Sequence, residues 1–144
     1  MSGSDLPMPA SNADSAPYWQ AAREGKLVLQ QCAACGLKRF LPRHLCPTCW
    51  SDQTQWVEAC GRGTVHAVTT VRRAPSQAFR EKVPYVVALV DLEEGPRMLT
   101  NIVGPNAEQA RIGQPVEVTF EVRENGVVPQ FRIAGGTQNE RRPT

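Results

Sequence analysis

Four cysteines in two Cys-x-x-Cys pairs are the residues of this sequence best suited to chemistry. Cys32 is paired with Cys35 and Cys46 with Cys49, and the ten residues GLKRFLPRHL separate the pairs. Two residues between paired cysteines allow one tight turn to aim both sulfurs at a single point, and the spacer allows a short hairpin to bring the second turn opposite the first. Zinc prefers four tetrahedral ligands and binds thiolates at about 2.3 Å. The spacing therefore predicts structural zinc on these four cysteines, with iron as an alternative metal.

The two turns differ in the residue that follows the second cysteine. Gly36 follows Cys35 and can adopt the positive φ that such a turn often needs, whereas Trp50 follows Cys49 and leaves the geometry of the second turn open. Four thiolates leave no open position for substrate water, so the predicted metal is not catalytic. A redox role is disfavoured because it usually requires one Cys-x-x-Cys pair at the start of a helix in a βαβ unit, a context that this sequence lacks.

Two further residues could carry chemistry but are assigned none. His44 lies two residues before Cys46 and is expected to be a surface or packing residue, because four thiolates already complete the metal site. Cys60 lies at the entry to a predicted strand, where a lone cysteine is usually a small buried hydrophobe. The other histidine, His66, is not fixed near Cys60 by any pattern, so no nucleophile and base pair is predicted.

Composition and charge limit the class of protein. The chain has 144 residues and a net charge of +2, from 16 basic and 14 acidic side chains, which does not suggest a polyanionic partner. The first seventeen residues lack the basic start and apolar centre of a signal peptide, and no run approaches the roughly 20 apolar residues of a membrane span. We therefore predict a cytoplasmic protein with no membrane partner. Structural disulfides are disfavoured in that compartment and fit poorly with five cysteines.

The chain is expected to divide into four segments around the cysteines. Residues 1–16 are rich in Ser, Pro, Ala, Asp and Asn and are predicted to be a disordered tail. A helix and a zinc ribbon follow at 17–59. An OB-fold domain is predicted at 60–135, and a flexible C-terminal tail at 136–144.

A short helix is predicted at about 17–24, PYWQAARE. Pro17 suits the first helical position and Gly25 suits a stop. Tyr18 and Trp19 contribute to an apolar face that is too short to be stable alone. We expect this face either to pack on its own domain or to dock onto a partner.

The sequence after the cysteines is rich in β-strand patterns. One strand is predicted before the metal site at 26–31, and five after it, at 64–71, 84–92, 97–103, 116–122 and 128–134. The strand 84–92 is apolar on both alternating sets, as expected of a strand covered on two sides. The strand 116–122 alternates and places Val116, Val118, Phe120 and Val122 on one apolar face, opposite Glu117, Thr119 and Glu121. Glu124-Asn125-Gly126 is a strong hairpin signal before the last strand.

Five strands with a short helix between the third and fourth form the pattern of an OB-type barrel. The sequence PNAEQARIG supplies that helix. Periodicity alone also permits another small β-barrel. The predicted fold class is mainly β, with a short N-terminal helix, a zinc ribbon and a five-stranded barrel.

The order of several segments resembles the DUF35 family. These segments are YWQAAREGKLVLQQCAACG, LPRHLCPTCW, GRGTVHAVTTV, PYVVALVDLEEGPRMLTNIVG and RIGQPVEVTF, within a resemblance that covers about 17–134. The resemblance implies an N-terminal helix, a rubredoxin-like zinc ribbon and a C-terminal OB fold. It also implies that the four paired cysteines match the zinc ligands of the family, whereas no family role carries over to Cys60.

The resemblance implies an acyl-CoA-associated protein that is commonly the small partner of a thiolase-type enzyme. Other members of the family pair with MaoC-type hydratases or with thiolase-like aldolases of steroid side-chain degradation. A thiolase needs an activated cysteine with histidine and a second cysteine, and this chain cannot supply that set. We therefore predict a non-catalytic accessory subunit in a hetero-oligomer with a thiolase-like enzyme. A MaoC-type enoyl-CoA hydratase is the alternative partner.

A basic segment between two predicted strands is the best candidate for contact with CoA. The segment VRRAPSQAFREKVP, 71–84, contains Arg72, Arg73, Phe79, Arg80 and Lys82. Arginine matches phosphate geometry, and an aromatic ring can stack on adenine. The segment could instead contact a protein partner or be an ordinary solvated loop.

Nucleic-acid binding is the competing class, because zinc ribbons and OB folds also occur in nucleic-acid-binding proteins. Such an OB site needs exposed aromatic residues and a basic groove. The barrel region has few aromatics, Phe120 belongs to the inward set, and Glu117 and Glu121 would oppose a phosphate backbone. Nucleic-acid binding is therefore the less favoured function.

Overall fold

A three-stranded sheet carries the cysteine segment. The computed structural model describes residues 9–123 and 126–134. In these ranges the chain begins with helix α1, Ala16–Arg23, and continues with strands β1, Val28–Cys32, β2, Lys38–Arg39, and β3, Thr54–Glu58. The strands pair antiparallel in the order β2-β1-β3. None of the helices in the described ranges combines the length and the apolar character needed to cross a bilayer.

The remaining five strands close into a barrel. They are β4, Arg62–Val71, β5, Tyr85–Leu92, β6, Arg97–Ile102, β7, Pro115–Arg123, and β8, Gly126–Ile133. Their order is β4-β5-β6-β8-β7, and β7 pairs back onto β4. The predicted short helix between the third and fourth barrel strands is present as a 3₁₀ turn, Ala107–Gln109. The mainly β fold with one short helix and an OB-type barrel is confirmed.

A reciprocal pair of hydrogen bonds fixes the start of α1. The backbone N–H of Ser15 donates to Asn12 Oδ1 at 2.8 Å, and the backbone N–H of Asn12 donates to Ser15 Oγ at 3.1 Å. These two hydrogen bonds lie within the last residues of the tail predicted at 1–16, and the disorder of that tail stays a prediction. Residues 1–8, residues 124–125 of the predicted hairpin signal, residue 135 and the predicted C-terminal tail at 136–144 lie outside the described residues.

The helix, the first strand and the barrel share one hydrophobic core. Tyr18, Leu27 and Leu29 belong to the same buried cluster as Val90 and Phe131 of the barrel. Helix α1 also packs directly against β8. The segments predicted as a ribbon at 17–59 and a barrel at 60–135 therefore contribute residues to one shared core.

Strand β7 departs from the predicted burial pattern at its far end. Val116 is 1% exposed, whereas Val122, predicted on the same apolar face, is 74% exposed. The reason is the short pairing with β4, which covers only residues 115–117 of β7. Beyond that point β7 pairs with β8 alone, so the barrel no longer covers the Val122 side.

Strand β5 is covered mainly on one face. Val86, Ala88, Val90 and Leu92 are buried, while the alternate residues are only partly buried. The prediction of a strand covered on two sides therefore holds fully for one face and partly for the other. Its partly covered face is the floor of a cleft, described below.

Candidate functional site

The structure brings the four paired cysteines into one cluster. All four sulfur atoms lie within 4.8 Å of one another. The Sγ atoms of Cys32 and Cys49 are 3.6 Å apart, and those of Cys35 and Cys46 are 3.7 Å apart. A zinc tetrahedron with Zn–S bonds of about 2.3 Å has sulfur–sulfur edges of roughly 3.8 Å. The donor set and its dimensions therefore fit a four-coordinate metal held by protein ligands alone.

Backbone N–H groups point at two of the sulfurs. The N–H of Cys35 donates to Cys32 Sγ and the N–H of Thr48 donates to Cys46 Sγ, each at 3.4 Å. The hydrogen bond from the Cys35 backbone is the main cause that lowers the pKa of Cys32 to about 6. The pKa of Cys46 is lowered chiefly by the backbone N–H of Cys49. Hydrogen bonds to the charged form favour thiolates, which are the form that binds metal.

The second cysteine turn adopts the same backbone conformation as the first. Gly36 has a φ of +82°, as predicted, and Trp50 has a φ of +67° at the corresponding position. The sequence left the geometry of the second turn open, and the structure shows that Trp50 adopts the left-handed conformation there. The second turn therefore carries a bulky side chain where the first turn has Gly36.

His44 and Cys60 lie outside the metal cluster. His44 is exposed and is not part of the four-cysteine group. Cys60 is also exposed, so the prediction of a small buried hydrophobe is wrong. The cause is its position just before the barrel, where its backbone N–H donates to Glu94 Oε2 at 2.8 Å and its Sγ lies 3.5 Å from Glu93 Oε1. Partial desolvation and these carboxylates raise its pKa, which disfavours a reactive thiolate.

The two helix aromatics differ in burial. Tyr18 is 6% exposed and packs edge-on against Trp19 and Phe40, with ring centroids 4.8 and 5.7 Å away. Burial also raises the pKa of the Tyr18 phenol. This burial favours the alternative that Tyr18 packs on its own domain, and docking of Tyr18 onto a partner stays a prediction. Trp19 is only half-buried, and its role in docking stays a prediction.

An apolar cleft of about 490 Å³ lies between α1, the segment after β2 and the barrel. Aromatic and aliphatic side chains supply most of its walls, including Tyr18, Trp19, Phe40, Leu41, Phe79, Tyr85, Val87 and Leu99. Leu41 and Leu99 are 59% and 63% exposed. A cleft of this size and character suits an apolar small molecule or part of one.

A second cavity of about 280 Å³ shares five lining residues with the cleft, including Phe79, Tyr85 and Arg123. A polar network lies where the two meet. The Nε2 of Gln130 donates to Glu121 Oε1 at 2.9 Å, and Arg123 Nη2 donates to the same oxygen at 3.1 Å. The two cavities therefore form one apolar cleft with a polar end.

The structure brings only part of the predicted basic segment to this cleft. Phe79 lines both cavities and Lys82 lines the second. The rings of Phe79 and Tyr85 lie 5.5 Å apart. Arg72, Arg73 and Arg80 are exposed and are absent from the lining of both cavities.

Sequence reasoning missed most of the cleft lining, including Tyr85, Arg123 and Gln130. Gln130 is only 4% exposed, and it lies between Pro129 and Phe131 on a strand whose other polar residue, Arg132, is exposed. A polar residue inside such a strand is the one signal that could have indicated it. Nothing in the sequence indicated that Arg123 lines a cleft, because a charged residue at the end of a strand is usually an ordinary surface residue.

A rubredoxin-like ribbon with a four-cysteine cluster, followed by a closed five-stranded barrel, defines a zinc-ribbon and OB-fold protein. Two family models match, described as the rubredoxin-like zinc ribbon domain of ChsH2, at residues 19–55, and its C-terminal OB-fold domain, at residues 56–121. A DUF35 domain-containing scaffold protein of Methanothermobacter thermautotrophicus is 36% identical over 67% of this chain and 73% of the relative. The chain belongs to the DUF35 family.

Two further comparisons concern proteins whose descriptions name an enzyme. A chain of a solved structure described as the Ltp2-ChsH2(DUF35) aldolase is 41% identical, with a TM-score of 0.79, over 88% of this chain and 99% of that one. A protein of Thermomonospora curvata named as a probable enoyl-CoA hydratase alpha subunit is 42% identical over 89% of this chain. This chain spans only 40% of the length of that relative.

Proposed function

We propose that the chain is a non-catalytic accessory subunit of a thiolase-like enzyme that acts on acyl-CoA. In this role Cys32, Cys35, Cys46 and Cys49 hold a structural zinc ion that clamps the ribbon, and the ribbon and barrel together form part of the acyl-CoA passage. The two Cys-x-x-Cys turns supply four thiolates for one ion, which leaves no ligand position for substrate. The chemistry therefore belongs to the partner, in a cytoplasmic hetero-oligomer.

The observation that carries this proposal is the apolar cleft with a polar, partly basic end. The apolar walls suit an acyl group, and Lys82 at the second cavity suits a phosphate or a carbonyl of the CoA moiety. We infer that the acyl part lies between Tyr85 and Leu99 while the CoA phosphates lie toward Lys82 and the exposed arginines of the basic segment. Trp19, half-buried at the same cleft, is then available to the partner subunit.

The comparisons support a subunit role and leave two partner classes to be separated. Similarity to a chain of the Ltp2-ChsH2(DUF35) aldolase supports an aldolase as the partner, which we propose to be thiolase-like. Similarity to the Thermomonospora curvata hydratase subunit supports the alternative, an enoyl-CoA hydratase, which we infer to be of the MaoC type. The chain spans 99% of the aldolase chain and 40% of the hydratase subunit, and a binding experiment with each partner separates the two classes.

Co-purification with defined partners tests the proposal. The chain would be co-expressed separately with the Ltp2 subunit of the related aldolase and with a MaoC-type hydratase. Light scattering would report the mass of any complex, and turnover of acyl-CoA would be measured before and after mixing. We expect a stable complex with Ltp2 and no turnover by the chain alone. Turnover by the purified chain alone, or tight salt-sensitive binding to single-stranded nucleic acid without either complex, would contradict the proposal.

Neutralising the basic segment is expected to weaken acyl-CoA binding by the assembled complex. Lys82→Ala alone should weaken it about tenfold, because a charge-assisted contact at the cleft contributes about 1.5 kcal/mol or more. The quadruple alanine variant of Arg72, Arg73, Arg80 and Lys82 should lose more, and its remaining binding should depend less on salt. Calorimetry on the complex measures both effects.

A matched control separates a local contact from the general effect of charge. Arg132→Ala removes one positive charge from an exposed barrel position that pairs with Glu117, away from the cleft lining. We expect its affinity for acyl-CoA to stay close to the wild-type value. Equal affinities for the quadruple variant and the wild type would leave the basic segment as solvated surface or as partner contact.

A further inference from the structure

The ribbon contributes one wall of the apolar cleft through three consecutive residues. Phe40, Leu41 and Pro42 line the cleft, and they lie in the spacer between the two Cys-x-x-Cys pairs, directly after β2. We call these three residues the arch. Pro42 restricts its own φ and also the backbone of Leu41, which leaves the arch few alternative conformations. The shape of this wall therefore depends on how the ribbon holds the two ends of the arch.

Two buried polar side chains hold the end of the arch. The backbone N–H of Arg43 donates to Gln30 Oε1 at 2.8 Å, and the carbonyl of Arg43 accepts from Arg39 Nη2 at 3.1 Å. The same Arg39 nitrogen lies 3.2 Å from Thr54 Oγ1 on β3. Gln30 is 4% exposed and Arg39 is 7% exposed. Burial of polar side chains is unfavourable unless they form hydrogen bonds, and here the bonds fix the backbone of the residue that follows the arch.

The arch and the barrel each bring an exposed leucine to the cleft. Leu41 of the arch and Leu99 of β6 both line it, and they are 59% and 63% exposed. Phe40 is half-buried and packs edge-on against Tyr18, with ring centroids 5.7 Å apart, which fixes the arch against α1. An apolar group in the cleft would cover leucines of the ribbon and of the barrel together, and such burial favours binding roughly in proportion to the apolar area.

We propose that the arch selects the acyl group of the substrate, with Leu41 as the contact residue and Gln30 as a positioning residue behind it. This inference rests on the proposed function, which places the acyl part of acyl-CoA in the cleft. An acetyl group offers a single methyl group and gains little from the arch, whereas a long apolar acyl chain covers Leu41. The substrate class is therefore acyl-CoA with a large apolar acyl group.

Calorimetry with two probes, decanoyl-CoA and acetyl-CoA, tests the inference on the complex of the chain with the Ltp2 subunit of the related aldolase. The ratio of the two affinities isolates the contribution of the acyl chain beyond its second carbon. We expect Leu41→Ala to lower this ratio roughly fivefold, because part of the apolar contact is lost. Leu41 is exposed, so the variant should keep the melting temperature and the zinc content of the wild type.

A pair of variants at Gln30 tests the positioning role. Gln30→Met keeps the length of the side chain but removes the acceptor for the Arg43 N–H, and we expect it to lower the affinity ratio about threefold. Gln30→Glu keeps an acceptor oxygen and should restore the ratio. A merely structural role would weaken the binding of both probes alike and leave the ratio unchanged. If Gln30→Met fails to fold, Leu41→Ala still decides the inference.

Leu45→Ala is the matched control, because Leu45 lies in the same spacer and is 41% exposed but is absent from the cleft lining. We expect its affinity ratio to equal that of the wild type. If the wild-type complex prefers decanoyl-CoA and Leu41→Ala keeps that preference, the inference is overturned and the proposed function stands. Weaker Ltp2 binding by Leu41→Ala with an unchanged ratio would assign the arch to the partner and also overturn it. If the wild type binds no Ltp2, the inference and the proposed function are both contradicted.

Discussion

Replacing Cys46 by serine is expected to release the metal and unfold the ribbon. Cys46 is fully buried and lies 3.7 Å, sulfur to sulfur, from Cys35, so serine removes a ligand that no exposed group can replace. A structural zinc site contributes on the order of 10 kcal/mol to the folding of such a module. Hydrogen exchange should show lost protection at about 32–54, and metal analysis should show less than one zinc per chain. Because Leu27 and Leu29 belong to the shared core, the barrel should also melt at a lower temperature.

Cys60→Ser is the control for this change. It makes the same chemical substitution at an exposed cysteine outside the four-thiol cluster. We expect one zinc per chain and nearly unchanged exchange protection. Full metal content and wild-type protection in Cys46→Ser would refute the proposed ligand set, as would the absence of zinc and iron from folded wild-type protein.

Replacing Gly63 by alanine is expected to destabilise the barrel strongly. Gly63 lies on β4 where that strand pairs with β5 on one side and β7 on the other. A Cβ there would sit 2.5 Å from Val90 Cγ1 and 2.7 Å from the backbone oxygen of Asp91. The oxygen belongs to a paired strand and cannot move aside without breaking the sheet. We expect a loss of about 3 kcal/mol or more in the free energy of unfolding, measured by denaturant titration.

Gly25→Ala separates the steric clash from the general cost of replacing a glycine. Gly25 has a φ of +78° and nothing lies within 4 Å of its added Cβ. We expect a loss of only about 1 to 2 kcal/mol there, from the left-handed conformation alone. A smaller loss of unfolding free energy at Gly63 than at Gly25 would contradict this prediction. It would show that β4 and β5 can separate enough to accommodate the added Cβ.

The sequence by itself determined the features that depend on neighbouring residues. The Cys-x-x-Cys spacing indicated one four-thiol cluster because a tight turn and a short hairpin are local structures. Runs of β-branched and apolar residues predicted each barrel strand to within two residues, and alternation with a period of two assigned the faces of 116–122. Gly36 was predicted to have a positive φ for the same local reason.

Only the tertiary structure decided which faces of the predicted helix and strands are buried. The Val122 side is exposed because β7 leaves β4 after three residue pairs, and Tyr18 is buried because the helix packs on the barrel. The cleft joins Phe79, Arg123 and residues of α1, which are far apart along the chain. No local pattern encodes such contacts, because they depend on where each strand stops pairing and on how the helix and ribbon pack against the barrel.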